Sequence, residues 1–358
     1  MDIIIFGAQG YALSVYEALN ILYPQRNIRC FLVSEKEKNA SMLRHLPVKE
    51  INTLSLEMTQ EEKRHVEILI ATPENTQQEI EELLENHGFY YYQRLNYIRW
   101  AEMMKLFHTK IGRFLPLQAL PVGCNAPFIR IFMARSHKDR PLAHPPALPE
   151  YILPLQAGSG NTTERIADLL DNTGEHISYK NGNYSELTGL YWVWKNKLMA
   201  DGVRQYYGFC QYRRSFDFTA DDLLRLIDND VDVVLPYPLP YDPDINAHHE
   251  RYLKPSDWAA MLQALKELQP EYADIFSATL KQRYLYNYNV ILAKKEVLRE
   301  YCEWLFPILE KTEELSVPKG RERSDRYIGY MAETLETLYF MKHTDSLNIV
   351  HTVCRQFI

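Results

Sequence analysis

Apolar residues follow two rhythms along this chain. Ile3-Ile4-Ile5-Phe6, within residues 2–6, is a short unbroken run, the pattern of a strand buried on both faces. Gly7-Ala8-Gln9-Gly10 then turns the chain, and Leu13, Tyr16, Leu19 and Leu22 recur at helical spacing over 11–22. Strands follow at 28–33 and 67–71, the latter leading through Thr72-Pro73 to a helix over 76–87. Strands alternating with helices predict βαβ units and a parallel sheet. Residues 1–96 are therefore expected to form a small Rossmann-like domain. Residues 97–127 read as a connector, with a short helix over 98–107 and then Gly112, Pro116, Pro121, Gly123 and Pro127 as punctuation. A second α/β pattern starts at Ile129, so 128–358 forms the larger domain. Its further strands are predicted at 151–155, 206–212, 231–235 and 288–293. Its helices are predicted at 162–171, 185–198, 220–228, 256–268, 295–314 and 327–341.

Composition narrows the class. The 358 residues suit two domains. A hydrophobic share of 46% with 24% charged residues is globular rather than disordered. A net charge of −7 argues against a nucleic-acid binder and leaves room for local basic pockets. The 25 tyrosines pair flat apolar faces with hydroxyls, which suits sugar binding as well as core packing. Five scattered cysteines form no C-x-x-C pair, which reads as a reducing compartment with neither disulfides nor zinc. No run approaches the ~18–20 apolar residues of a membrane span. The expected location is cytoplasmic, with at most peripheral contact at the inner face of the membrane.

Gly7 and Gly10 sit between a strand and a helix, where glycines let backbone amides approach a phosphate. They mark a candidate N-terminal nucleotide pocket. A tight turn packing helix on strand explains the same glycines, and the acidic residue wanted after the second strand is displaced to Glu35. With Ile70-Ala71-Thr72-Pro73-Glu74-Asn75, this segment resembles the N-terminal domain of bacterial sugar acyltransferases of the UDP-sugar type.

Four segments of the larger domain carry candidate chemistry. The strand from Arg130 ends in Arg135-Ser136-His137-Lys138, and ligands of open α/β sheets bind beyond such strand ends. His137 and Lys138 are thus candidate donor contacts. Asn183 and Glu186 have capping-box spacing ahead of a helix crowded with Tyr191, Trp192, Trp194 and Lys195. Glu186, Tyr191, Trp194 and Lys195 are taken as donor-binding, although core packing of the aromatics accounts for the pattern too. Tyr206-Tyr207-Gly208-Phe209-Cys210-Gln211-Tyr212-Arg213-Arg214 is an apolar strand ending in two guanidinium groups. Sugar transferases commonly hold a divalent metal with an Asp-x-Asp motif here. Arg213 and Arg214 can instead neutralise a departing diphosphate, with Gln211 and Tyr212 beside them. Finally, Glu333 follows Arg326 in the last helix, among apolar neighbours that would raise its pKa toward a general base's. Asp325 is the alternative base, or a helix cap.

Taken together, Glu186-Leu187-Thr188-Gly189-Leu190-Tyr191-Trp192, Gly208–Arg214, Tyr301–Leu309 and Arg326–Glu333 resemble a family of bacterial capsular and exopolysaccharide biosynthesis proteins long labelled a domain of unknown function. The resemblance spans about 129–345. It implies a GT-A-like glycosyltransferase domain, a nucleoside-diphosphate sugar donor (UDP-sugars favoured) and a glycan or lipid-linked glycan acceptor. A divalent metal, Mn or Mg, is left open. Where the family pattern has His before Tyr-Arg-Arg, this chain has Gln211, which cannot titrate. His248, His249, Asn287 and Asn289 are candidate acceptor contacts. Adjacent histidines cannot share a helical face, so no metal ligands are assigned. The rival expectations are a non-catalytic nucleotide-sugar-binding subunit and an NAD-linked enzyme working from the first domain.

Overall fold

The computed structural model describes residues 2–35, 39–199 and 205–357. The chain divides into two compact units, one of residues 1–114 with 239–244, the other of residues 115–238 with 245–357.

The first unit is built on β1 (Asp2–Phe6), α1 (Gly10–Leu22), β2 (Ile28–Val33), β3 (Met42–Leu43), β4 (Leu46–Glu50), α2 (Ile51–Glu57), α3 (Gln60–Arg64), β5 (Val66–Ile70), α4 (Gln77–Asn86), β6 (Tyr92–Arg94) and α5 (Tyr97–Ile111). The sheet order is β3-β4-β2-β1-β5-β6, parallel except for the β3–β4 hairpin. Ile4, Phe6, Leu32, Ile68 and Ile70 build its core with Leu84 of α4. Residues 97–111 are not a connector, contrary to the sequence expectation. Asn96 caps α5 by accepting from Arg99 N at 3.1 Å, and the buried Trp100 donates to Ser14 Oγ of α1 at 3.2 Å. Apolar packing on α1 therefore draws this helix into the unit. Gly7 is required by its backbone: φ is +128°, and a Cβ would lie 2.7 Å from Ala71 O. A Cβ on Gly10 would meet Leu239 at 3.0 Å, so close packing against a side chain also favours glycine at the start of α1.

The second unit begins with β7 (Ile129–Arg135), β8 (Ile152–Gln156), β9 (Leu169–Leu170), α6 (Asn181–Tyr184), α7 (Leu187–Val193), β10 (Tyr206–Gln211), β11 (Arg214–Phe216), α8 (Ala220–Asp228) and β12 (Val233–Pro236). The short strand β13 (Leu239–Pro240) falls in the segment assigned to the first unit. After it come α9 (Ile245–His249), α10 (Pro255–Leu268), α11 (Pro270–Leu280), β14 (Tyr284–Leu285), β15 (Ile291–Lys294), α12 (Lys295–Leu315), α13 (Tyr327–Lys342), β16 (Ile349–Thr352) and β17 (Cys354–Gln356). The main sheet runs β16-β12-β15-β10-β7-β8-β9, with β15 antiparallel to both neighbours and the other pairs parallel. Alternation along the strands fills a core on each face. Phe132, Tyr207, Phe209, Ile291 and Val233 face the layer of α7 and α10–α13. Ile131, Met133, Cys210, Leu292 and Val234 face the α8 side.

One predicted helix is overturned, and another is found with a different interior. Residues 162–171 contain no helix, only β9 at their end. The buried Gln156 amide donates to Glu164 O at 2.8 Å and its oxygen accepts from Ile166 N at 3.0 Å, so a side chain satisfies this backbone in an extended path. The helix predicted over 185–198 is found over 187–198, its last turn widened. Ser185 adopts φ +50° between α6 and α7, and Trp194–Leu198 is a π-helical turn. Asn183 is no N-cap. Its Nδ2 is drawn to the carbonyls of Gly320 and Arg323, the latter at 2.8 Å.

Gly208 lies at the centre of the main sheet. A Cβ there would stand 2.8 Å from Ile291 O and 3.0 Å from Ile131 Cγ1. Gly208→Ala is expected to destabilise the second unit by about 1–3 kcal/mol, the usual cost of overpacking. Urea unfolding of the full chain checks this, and an unchanged midpoint would show that the sheet relaxes around the methyl group.

Candidate functional site

β7 and β10 lie side by side and parallel, with Ala134 paired to Gln211. Beyond their C-terminal ends opens a cavity of about 610 Å³ in the second unit. Arg135, Lys138, Asp139 and Arg140 line it from β7. Gln211, Tyr212, Arg213 and Arg214 line it from β10. The α6–α7 junction adds Ser185 and Glu186, and the turn before α13 adds Ser324 and Arg326. Six basic side chains thus meet two acidic ones, Asp139 and Glu186, in a chain whose net charge is −7. Such a concentration of guanidinium groups suits a dense anion such as a diphosphate.

The wall is held by hydrogen bonds among residues distant in sequence. Glu186 Oε1 accepts from Gln211 Nε2 at 3.0 Å and from Asn289 Nδ2 at 2.9 Å. The same Gln211 nitrogen donates to Tyr288 O at 2.7 Å. Both N–H groups of this amide are therefore engaged, whereas a neutral histidine has one ring N–H to offer. Tyr288 and Asn289 adopt φ +79° and +50°, a left-handed turn that aims Asn289 at Glu186. The Arg214 guanidinium lies 3.8 Å from the Tyr288 ring centroid. Arg326, itself at φ +63°, donates from Nε to Ser185 Oγ at 2.8 Å, and its Nη2 stands 3.7 Å from Glu186 Oε2. Burial holds the Asp139 carboxyl above its ordinary range, partly offset by the Ser136 amide that it accepts at 2.7 Å.

Glu333 lies beside the cavity rather than on its wall. Its Oε1 accepts from Tyr288 N at 3.0 Å. Burial and then the Glu186 carboxylate push its pKa up to about 8, against the Tyr288 amide, Arg214 and Arg326. Asp325 is placed differently. Arg323 grips both of its oxygens and also pairs with the buried Asp257. Asp325 is thus one end of an ion-pair chain that fixes the turn ahead of α13.

The other sequence candidates disperse. Lys138 lines the cavity and His137, one residue earlier, does not. Tyr191 donates to Glu175, Trp194 stacks on Phe306 at 5.4 Å, and Lys195 lies 3.9 Å over the Trp194 ring. None of these three lines the cavity, because only the start of the predicted helix reaches it. His249 is fully buried with Nε2 3.2 Å from Thr334 Oγ1, so it faces the core. Burial lowers the pKa of His248 to about 4 and of His249 to about 3. Asn287 and Asn289 are both buried, and Asn289 is spent on Glu186. Among the described residues, no three His, Cys, Asp or Glu side chains converge to hold a metal ion, and no helix is long and apolar enough to cross a membrane. Arg135, Arg140 and Arg326 escaped the sequence analysis. Arg326 had a usable signal, a basic residue at a helix start within a conspicuous motif, but its pairing with Glu186 spans 140 residues of chain.

The chain belongs to the family described as a domain of unknown function, DUF4422, which matches residues 130–344. All of the cavity's lining lies within that range. Among solved structures, it is similar to the apo form of the bifunctional glycosyltransferase WbbM, at 27% identity and a TM-score of 0.54. That match covers 64% of this chain and 45% of the other, so this chain spans under half the length of that protein. No curated protein matches.

The position of Glu333 generates a pH signature. Its folded pKa is raised from 4.5 to about 8, so its contribution to stability is full below pH 4.5 and is lost as the pH climbs to about 8. Glu333→Gln keeps an oxygen for Tyr288 N and cannot ionise. The Tm of this variant is expected to gain on wild type between pH 6 and pH 9. Parallel Tm–pH curves for the two proteins would mean that Glu333 does not titrate in this window.

Proposed function

We propose that this member of the DUF4422 family is a glycosyltransferase. It moves a hexose from a nucleoside-diphosphate sugar, UDP-sugars favoured, onto a glycan or lipid-linked glycan acceptor of a bacterial surface polysaccharide. The observation that carries the assignment is the set of six basic side chains lining one cavity, five of them just beyond the C-terminal ends of two parallel strands. The 27% identity to a bifunctional glycosyltransferase supports it. The second unit is then a GT-A-like domain, and the first unit is given no catalytic part.

The reaction is a direct displacement. The acceptor hydroxyl oxygen forms a bond to the anomeric carbon, the bond from that carbon to the diphosphate oxygen breaks, and its electron pair leaves with the diphosphate. Glu333 takes the hydroxyl proton. A carboxyl that titrates near neutrality suits this task. Glu186 holds the turn that carries the Tyr288 amide against Glu333. Arg213 and Arg214 stabilise the departing diphosphate, the charge that a divalent cation supplies in many transferases. Lys138, Arg135, Arg140 and Arg326 complete the anion's surroundings. Asp325, paired with Arg323, orders the turn and is not the base.

Thermal stabilisation by UDP, GDP and their hexose conjugates, each with Mn²⁺ or with EDTA, is the first test. A shift that survives EDTA is expected. Arg213→Ala should weaken nucleoside-diphosphate binding roughly tenfold or more, the effect of one charge-assisted hydrogen bond. Glu333→Gln should abolish turnover and leave that binding intact. A shift seen only with Mn²⁺ would return the leaving-group role to a metal. Binding without turnover in wild type, across donors and acceptors, would favour a non-catalytic subunit. The absence of any nucleoside-diphosphate shift would defeat the proposal.

A further inference from the structure

Outside the cavity, α13 carries a second surface that the donor site leaves unexplained. Tyr330 and Glu333 stand three residues apart on this helix and so share a face. Arg326 lies four residues before Tyr330, its guanidinium 6.0 Å from the Tyr330 ring centroid. Tyr252 stacks on the same tyrosine, ring centroids 4.6 Å apart and planes 23° from parallel. Tyr252 is 44% exposed and Tyr330 is partly exposed, so Tyr252 caps the Tyr330 ring and keeps part of its own ring open at the surface. Arg326 of the cavity and Glu333 both neighbour Tyr330, the inner ring of this stack.

The stack is held in place by the chain that precedes Tyr252. The backbone amides of Tyr252 and Leu253 both donate to His249 O at 2.8 Å. His249 itself is buried against Thr334 of α13, and Leu253 is buried in the core. His248 meets the Tyr252 ring nearly edge-on at 5.8 Å. The two histidines therefore help to position Tyr252. A fixed, half-exposed tyrosine stack gains little for folding, because much of Tyr252 stays in water.

We propose that the Tyr252–Tyr330 stack is the acceptor subsite, binding the apolar face of a neutral hexopyranose ring. The inference rests on the transferase proposal above and extends it to the second substrate. Tyrosine offers a rigid flat face at little entropic cost and a hydroxyl at the rim, the combination that suits a sugar. The charge pattern favours a neutral ligand here. The basic groups cluster in the donor cavity, while the groups facing Tyr330 are the carboxylates Glu333 and Glu186, the guanidinium of Arg326 and the Tyr252 phenol. A ring seated against the exposed part of Tyr252 is then one tyrosine away from the neighbourhood of Glu333, the group proposed to remove its hydroxyl proton.

Saturation-transfer NMR on the full chain tests this, with UDP present and the methyl glycosides of glucose, galactose, mannose and N-acetylglucosamine as probes. At least one glycoside should receive saturation, strongest at the C–H protons of one ring face. Tyr252→Ala should weaken its binding roughly 3- to 10-fold, the range of an aromatic stacking contact. Tyr252→Phe should keep it. UDP stabilisation should be equal in all three proteins, which also shows that the variants are folded. Unchanged glycoside binding in Tyr252→Ala would overturn the proposal, as would no saturation of any glycoside by wild type. If UDP fails to bind while glycoside binding still depends on Tyr252, the subsite stands and the donor assignment falls.

Discussion

The second unit's site depends on how one carboxylate, Glu186, is kept at the edge of a cavity crowded with guanidinium groups. Its side chain is only 11% exposed. It therefore needs partners, since burying a charge without them is costly. The amides of Gln211 and Asn289 supply them on one oxygen, and Arg326 stands near the other. These three residues come from β10, from the turn before β15 and from the start of α13. Satisfying one carboxylate thus fixes four segments against each other. The left-handed turn at Tyr288 and Asn289 is held by the same bonds, and it delivers a backbone amide to Glu333.

This arrangement also separates two charge environments by a short distance. Arginines dominate where a diphosphate would leave. Beside them, two carboxylates neighbour each other, and the less solvated one keeps its proton to about pH 8. General-base catalysis is most efficient when the pKa lies near ambient pH, and burial next to Glu186 shifts Glu333 in that direction. Gln211 fits the same logic. As an uncharged double donor, it ties Glu186 to Tyr288 O without adding a further titrating group to a cluster that already contains one.

Much of the fold was legible because parallel strands buried on both faces leave plain apolar runs. The strands at 2–6 and 28–33 were read at their observed limits. Legibility failed where side chains replaced backbone partners. Nothing local in 162–171 reveals that Gln156 will hold it extended, and nothing in 185–198 reveals that Ser185 will turn left-handed beneath Arg326. The cavity's arginines at 213 and 214 were visible because an apolar strand ended abruptly in charge. The contacts of Glu186 with Asn289 and Arg326 were not, because they bridge more than a hundred residues. The aromatic helix misled for a related reason: Tyr191 and Trp194 have a sugar site's composition but are consumed by Phe306 and Glu175.

The pairing of β11 with β17 has a bearing on the order of synthesis. Arg214 pairs with Gln356, and Phe357 N donates to Arg213 O at 2.8 Å. The arginine hairpin is thus edged by a strand made some 140 residues after it. Chains emerge from the ribosome N-terminus first. A nascent chain can complete the main sheet's centre, β7 beside β10, while the two arginines still lack their last backbone partners. The hairpin that carries the two arginines is therefore among the last parts of the second unit to gain its backbone partners.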